Sequence, residues 1–180
     1  PRILKEAFYI ARSGRPGPVH VDIPKDITAA VGDFDYPTEI KMPTYKPTYK
    51  GNAKQIKKAL EVIAEAKRPL LYLGGGVVAA NASELVRKFS AKTGIPAVET
   101  LMGLGVLAHE DKNLLSMVGM HGSYAANMAM SETDLIIALG VRFDDRVTGK
   151  LSEFAKHAKI IHVDIDPSSI SKIVNAHFPI

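Results

Sequence analysis

The chain has 180 residues, with 23 Lys and Arg against 19 Asp and Glu, a formal charge of +4 and a pI near 9.2, so it can hold one good core, or one domain and a piece of another. It has no cysteine, which excludes a disulfide framework and is compatible with a reducing cytosol, and no apolar run approaches the ~18 residues of a membrane span; a soluble, cytoplasmic protein is expected, with no membrane partner. The basic residues Lys41, Lys46, Lys50, Lys54, Lys57 and Lys58 gather in one linker and the first turns of the next helix, without interleaved aromatics or a recognised motif, so nucleic acid is not an expected partner.

In chain order, residues 2–13 carry helical periodicity (Ile3, Leu4, Ala7, Phe8, Ile10, Ala11), Ser13-Gly14 ends it, and Pro18 to Ile23 predicts a strand. Residues 1–26 are therefore read as the terminal helix-strand piece of another domain. Both chain ends read as cuts, since Pro1 opens directly on helical periodicity and Phe178-Pro179-Ile180 looks like an opening strand. From Pro24 the pattern changes: Pro37, Pro43 and Pro47 are scattered among Asp, Thr and Tyr, and residues 27–51 predict an irregular linker extended by its prolines.

Residues 52–180 then alternate between helix and strand. Helix 52–66 places Ala53, Ile56, Ala59, Leu60 and Ile63 on one face and leads to strand 69–73, which stops at Gly74-Gly75-Gly76. Helix 82–92, burying Leu85, Val86 and Phe89, leads to strand 96–98 and then Thr100-Leu101-Met102-Gly103. The apolar run 114–118 ends at Gly119-Met120-His121-Gly122 and helix 122–131 follows. Strand 135–139 runs into Gly140 and the charged group Arg142, Asp144, Asp145, Arg146; a short helix near 150–156 leads to strand 160–163, which ends at Asp164-Ile165-Asp166. Repeated units with almost wholly apolar strands predict a doubly wound, Rossmann-like parallel sheet of about six strands covered on both faces.

Strand ends of an open parallel sheet are where ligands bind. Glycine there lets a ligand approach the backbone, and an acidic strand end suits ribose hydroxyls or an adenine amine. The row of glycine-bearing turns, with Asp164, fits an FAD, NAD or CoA type of dinucleotide; the alternative reading is that the glycines only make tight βα turns. The paired arginines and aspartates beyond Gly140 suggest recognition of a polyanion or carboxylate, or else local salt bridging. Several fingerprints are excluded. Gly74-Gly75-Gly76-Val77-Val78-Ala79 is not G-x-G-x-x-G, Thr148-Gly149-Lys150-Leu151 lacks the Ser/Thr of a P-loop, and no G-x-S-x-G occurs. His20, His109, His157, His162 and His177 have no ligand-like spacing, so no metal site is expected here.

Ser13-Gly14-Arg15-Pro16-Gly17-Pro18-Val19 with Val21-Asp22-Ile23-Pro24-Lys25-Asp26 resembles the end of the pyrimidine-binding domain of thiamine-diphosphate enzymes. Gly74-Gly75-Gly76, Thr100 to Gly105, Gly119-Met120-His121-Gly122, Gly140 to Gly149 and Asp164-Ile165-Asp166 together resemble the central domain of the acetolactate synthase family. The resemblance covers essentially the whole chain. It implies an enzyme that joins two pyruvates, or pyruvate and 2-oxobutyrate, into acetohydroxy acids for branched-chain amino-acid synthesis. Its cofactors would be thiamine diphosphate, Mg²⁺ and an FAD not needed for redox, in a homo-oligomer with a possible regulatory subunit. Carried over residue by residue, Arg15, Gly75, Thr100, Leu101, Gly119, Met120, His121, Gly140, Val141, Arg142, Phe143, Asp144, Asp164 and Ile165 would contact FAD, while Met120, Asp145 and Arg146 would lie by the substrate channel, with Arg146 oriented by Asp145. The glutamate that activates thiamine diphosphate and the G-D-G…N metal motif of that family fall outside these residues, so this stretch alone is expected to be inactive. Two alternatives remain: the central domain of another thiamine-diphosphate enzyme, of the glyoxylate carboligase or oxalyl-CoA decarboxylase type, and a stand-alone nucleotide-binding module.

Overall fold

A computed structural model describes residues 1–180, and the chain divides into two compact units, Pro1–Lys50 and Gly51–Ile180. The first unit is built on helix α1 (Arg2–Arg12) and a short helix α2 (Lys25–Ala29). Its later half folds back on α1: Tyr9 and Tyr45 meet edge to face at 6.0 Å, and Gly14 N–H donates to the Tyr49 hydroxyl at 2.8 Å. The expected strand Pro18–Ile23 is not formed, and that stretch has no regular structure. A strand exists only as part of a hydrogen-bonded ladder, and this unit holds no other strand to pair with.

The second unit opens with α3 (Ala53–Glu65), started by Asn52, whose side chain accepts from the amides of Lys54 and Gln55. There follow β1 (Pro69–Leu73), α4 (Gly75–Ala79), α5 (Ser83–Thr93), β2 (Ala97–Glu99), a 3₁₀ turn at Leu101–Gly103, β3 (Leu114–Met117), α6 (Tyr124–Glu132), β4 (Leu135–Leu139), α7 (Asp145–Thr148), β5 (Lys159–Val163) and β6 (Phe178–Pro179). All strand pairs are parallel, in the spatial order β3-β2-β1-β4-β5-β6. This is the order of dinucleotide-binding doubly wound folds, and it places the reversal of direction between β1 and β4.

Alternation along the strands splits the core into two layers. Leu70, Tyr72, Ile136, Ala138 and Ile160 face one side, where Ala126 and Met130 of α6 cover them. Leu71, Leu73, Leu135, Ile137 and Ile161 face the other, against Ala59 of α3 and Val86 of α5. Burial of both faces explains why the central strands read as continuous apolar runs.

Two helix expectations are corrected. Leu85 is 69 % exposed and Leu60 is 55 % exposed: α5 turns Val86 and Ser90 inward, and α3 uses Ala59 with Val62 and Ile63, because a sheet face covers a narrower stripe than the apolar residues of either helix would fill. Residues 150–156 form successive turns rather than a helix. The bonds there span three residues, Glu153 N–H to Lys150, Phe154 N–H to Leu151 and Ala158 N–H to Ala155, and Ala155 at φ +43° leaves the helical region.

Candidate functional site

Because the sheet is parallel, the carboxyl ends of β1 to β5 share one edge. Gly75, Thr100 and Leu101, Gly119 to His121, Gly140 to Asp144, and Asp164 with Ile165 all come immediately after those ends. A row of backbone bonds knits the edge together: Thr100 N–H to Leu73 at 2.8 Å, Gly74 N–H to Leu139 at 3.0 Å, Gly76 N–H to Gly140 at 3.1 Å and Gly140 N–H to Val163 at 2.8 Å. Arg15 belongs to the first unit, where it is exposed just after α1.

The glycines in this row answer mainly to the chain itself. A Cβ on Gly74 would lie 2.2 Å from the Gly140 carbonyl oxygen, one on Gly103 2.4 Å from that of Leu73, and one on Gly122 2.5 Å from that of Met117. At these positions tight turn packing, rather than close approach by a ligand, requires glycine.

The loop after β4 alternates like a strand although it is not one. Val141 and Phe143 are each 2 % exposed and point into the core, whereas Arg142 and Asp144 face outward and pair at 3.5 Å between Arg142 Nη2 and Asp144 Oδ2. So exposed a pair contributes little stability. Asp144 also caps α7, its Oδ1 accepting from Arg146 N–H at 3.2 Å. That amide holds the Asp144 carboxyl below the ordinary carboxylate range, with Asp145 and the two arginines adding to the effect. The expected Asp145 to Arg146 pairing is not formed: Arg142 and Asp144 make the ion pair of this loop, and what the fold fixes at Arg146 is its backbone.

Phe143, at φ +53°, is held by rings. It meets Tyr72 at 5.6 Å, Phe154 at 6.1 Å and His162 at 5.1 Å, all edge to face. Burial pushes the Tyr72 phenol well above its usual value, and the charge of Asp144 adds to it. His162 is fully buried. Its Nε2 lies 2.9 Å from the Val141 carbonyl, which can only accept, so Nε2 carries the proton and Nδ1 is left bare and unpartnered. Burial lowers the His162 pKa, opposed by the Val141 carbonyl and by Asp164. Asp164 Oδ1 accepts from Asp166 N–H at 2.9 Å, and its Oδ2 stands 3.9 Å from His162 Nε2.

Met120 and Arg146, both expected at the substrate channel, are brought together, with Met120 N–H donating to the Arg146 carbonyl at 2.8 Å. Three positioning side chains escaped the sequence reading. Glu99, 1 % exposed, accepts from Leu107 N–H at 2.9 Å and Gly105 N–H at 3.3 Å and so shapes the loop after Thr100. The others are Asn127, which grips Gly119, and His162. Their residue types carry no signal of these roles; an Asn in an amphipathic helix reads as a surface residue.

The edge thus presents the outward Arg142 guanidinium, the mostly buried Asp164 carboxylate, and the exposed apolar side chains of Leu101, Met102 and Met120. That donor set fits an elongated dinucleotide with an anionic middle and hydroxyl-bearing ends. No group of His, Cys, Asp and Glu is arranged to hold a metal ion, and no helix is long and apolar enough to cross a membrane.

Residues 56–180 match the family described as thiamine pyrophosphate enzyme, central domain. Over its whole length the chain is 49 % identical to the acetolactate synthase large subunit of Buchnera aphidicola subsp. Schizaphis graminum, covering 32 % of that protein. It is likewise 51 % identical to an acetolactate synthase of Mycobacterium bovis, covering 29 %, and 49 % identical to the acetolactate synthase large subunit of Haemophilus influenzae, covering 32 %. The chain spans about a third of the length of these curated relatives.

Proposed function

Because the chain belongs to the thiamine pyrophosphate enzyme central-domain family, we propose that it is the FAD-binding central domain of an acetolactate synthase large subunit. In this reading residues 1–26 end the pyrimidine-binding domain, 27–51 are the linker and 52–180 are the flavin domain. The observation that carries it is positional: the strand order puts every proposed contact residue of the second unit on one sheet edge, in a chain about half identical to acetolactate synthases throughout.

Arg142, with the backbone amide at Gly75, would hold the pyrophosphate. Asp164 would meet a hydroxyl-bearing end, and Thr100, Leu101, His121 and Ile165 would border the cofactor. Val141, Phe143 and Asp144 would contribute chiefly through the loop they shape, since the first two side chains are buried and the third is committed to the α7 cap. FAD bound there would supply a fixed wall to the active site rather than a redox step. Met120, Asp145 and Arg146 would border the path of a 2-oxo acid, where a guanidinium can take a carboxylate in a bidentate grip.

Thiamine diphosphate and Mg²⁺ would be held by residues outside these 180, which contain no G-D-G motif. The complete protein would condense two pyruvates, or pyruvate and 2-oxobutyrate, and a regulatory subunit and self-association belong to the same proposal. The test is to express the complete gene product, titrate it with FAD by calorimetry, and assay acetohydroxy acid formation with thiamine diphosphate and Mg²⁺. Saturable FAD binding with turnover supports the reading; a complete protein that turns over pyruvate without binding FAD overturns the flavin assignment.

A further inference from the structure

Asn127 lies early in α6, half-buried, with its amide turned onto a single residue of the neighbouring loop. Its Oδ1 accepts from Gly119 N–H at 2.9 Å and its Nδ2 donates to the Gly119 carbonyl at 3.0 Å. Such a grip needs one acceptor and one donor on one short side chain, which only an asparagine amide offers at this reach. Gly119 is held at φ +110°, and a Cβ there would stand 2.7 Å from the Arg146 carbonyl oxygen. The loop after β3 therefore rests directly on the backbone of Arg146. The next amide, Met120 N–H, donates to that same carbonyl at 2.8 Å.

An unbroken path thus runs from the Asn127 amide through Gly119 and Met120 to the Arg146 backbone. The Arg146 side chain is exposed, and it is Arg142, not Arg146, that pairs with the loop's carboxylate. Its charge acts on Asp144 without an ion pair, and its starting point is the peptide that carries it. We propose that Asn127 is a positioning residue that fixes the approach of the Arg146 guanidinium to a 2-oxo acid carboxylate by clamping Gly119 and, through Met120, the Arg146 peptide. This rests on the reading of Arg146 as a substrate-channel residue.

The two asparagine bonds can be separated by substitution. Asn127→Asp keeps the volume and the acceptor for Gly119 N–H, but sets an oxygen against the Gly119 carbonyl. Asn127→Ala removes both bonds without that repulsion, and serves where the aspartate variant fails to fold. In the complete gene product the measurements are kcat/KM for pyruvate, the FAD dissociation constant and hydrogen exchange at the Gly119 and Met120 amides. They are made for each single variant, for Arg146→Ala, and for the double variants.

Loss of one or two hydrogen bonds predicts a fall of about 2- to 10-fold per bond in kcat/KM. FAD affinity should stay nearly constant, and the two amides should exchange faster in Asn127→Ala. With Arg146→Ala already present, neither Asn127 variant should lower kcat/KM further. An equal loss with and without Arg146 would mark a general disturbance of the fold and overturn the proposal, as would unchanged pyruvate kinetics in both Asn127 variants. Normal pyruvate use by Arg146→Ala alone would overturn the underlying reading of Arg146, and the proposal with it; the single variant distinguishes that failure from a failure of the coupling.

Discussion

The amide of Gly76 donates to the carbonyl of Gly140 at 3.1 Å, and the two residues approach so closely that a Cβ on either would stand 2.5 Å from the Cα of the other. They lie just past the carboxyl ends of β1 and β4, the neighbouring strands at which the sheet reverses direction. No side chain lies between these two glycines, so the chain packs there backbone against backbone.

Alanine at either position should therefore force the loops apart. Overpacking of this kind costs about 1–3 kcal/mol, and Gly140, at φ +59°, adds roughly 1–2 kcal/mol of left-handed strain once it carries a Cβ. Urea unfolding should place both variants below wild type, with Gly140→Ala the lower of the two. A midpoint unchanged in Gly140→Ala would show that the contact has room to relax.

Glu99 is buried with its carboxylate facing two amides, while Arg87 donates from Nη2 to the Gly105 carbonyl at 2.9 Å and from Nε to that of Val106 at 2.6 Å. In Glu99→Gln one oxygen becomes an NH₂ that must face an N–H. A donor left without an acceptor in a buried site costs about 1–3 kcal/mol. Thermal unfolding should record that loss although the substitution is isosteric; an equal or higher melting temperature would mean that the carboxylate is dispensable for the loop.

His162 predicts a pH dependence of stability. Its folded pKa lies below the ordinary value because burial disfavours the imidazolium, a tendency only partly offset by the Val141 carbonyl and Asp164. The unfolded chain then binds the proton more readily than the folded one. Stability should be full above about pH 6.5 and fall as the pH drops from there toward the lowered folded value, by at most about 1.4 kcal/mol per pH unit for one proton. His162→Gln, which keeps a donor near Nε2 but does not titrate, should flatten that slope. Urea midpoints between neutral and mildly acidic pH measure it, and an identical slope in the variant would assign the proton elsewhere.

Arg146→Ala should impair pyruvate use far more than FAD affinity in the complete protein. A charge-assisted bond to a carboxylate contributes ~1.5–3 kcal/mol, or a loss of roughly 10- to 150-fold in kcat/KM on removal. Arg146→Lys should recover part of that, since an ammonium cannot reproduce the bidentate fork. Collapse of FAD affinity with normal pyruvate kinetics at saturating FAD would make Arg146 a flavin ligand instead.

The sequence by itself determined the architecture of the second unit. Leu135 to Leu139 and Pro69 to Leu73 are strands at the expected residues, because strands buried on both faces must be apolar at every position and helices between them must not. Pro18 to Ile23 looked much the same locally but formed no strand, since a ladder needs a partner that local sequence cannot supply. Tertiary structure alone decided which glycines serve packing, that Val141 and Phe143 turn inward while Arg142 and Asp144 turn outward, and that Asn127, Glu99 and His162 hold the loops of the site edge. The His162 bond and the glycine contacts join loops distant in the chain, and the Glu99 and Asn127 bonds, though they span only six to eight residues, close turns whose course is set once β1, β2, β3, β4 and β5 lie side by side.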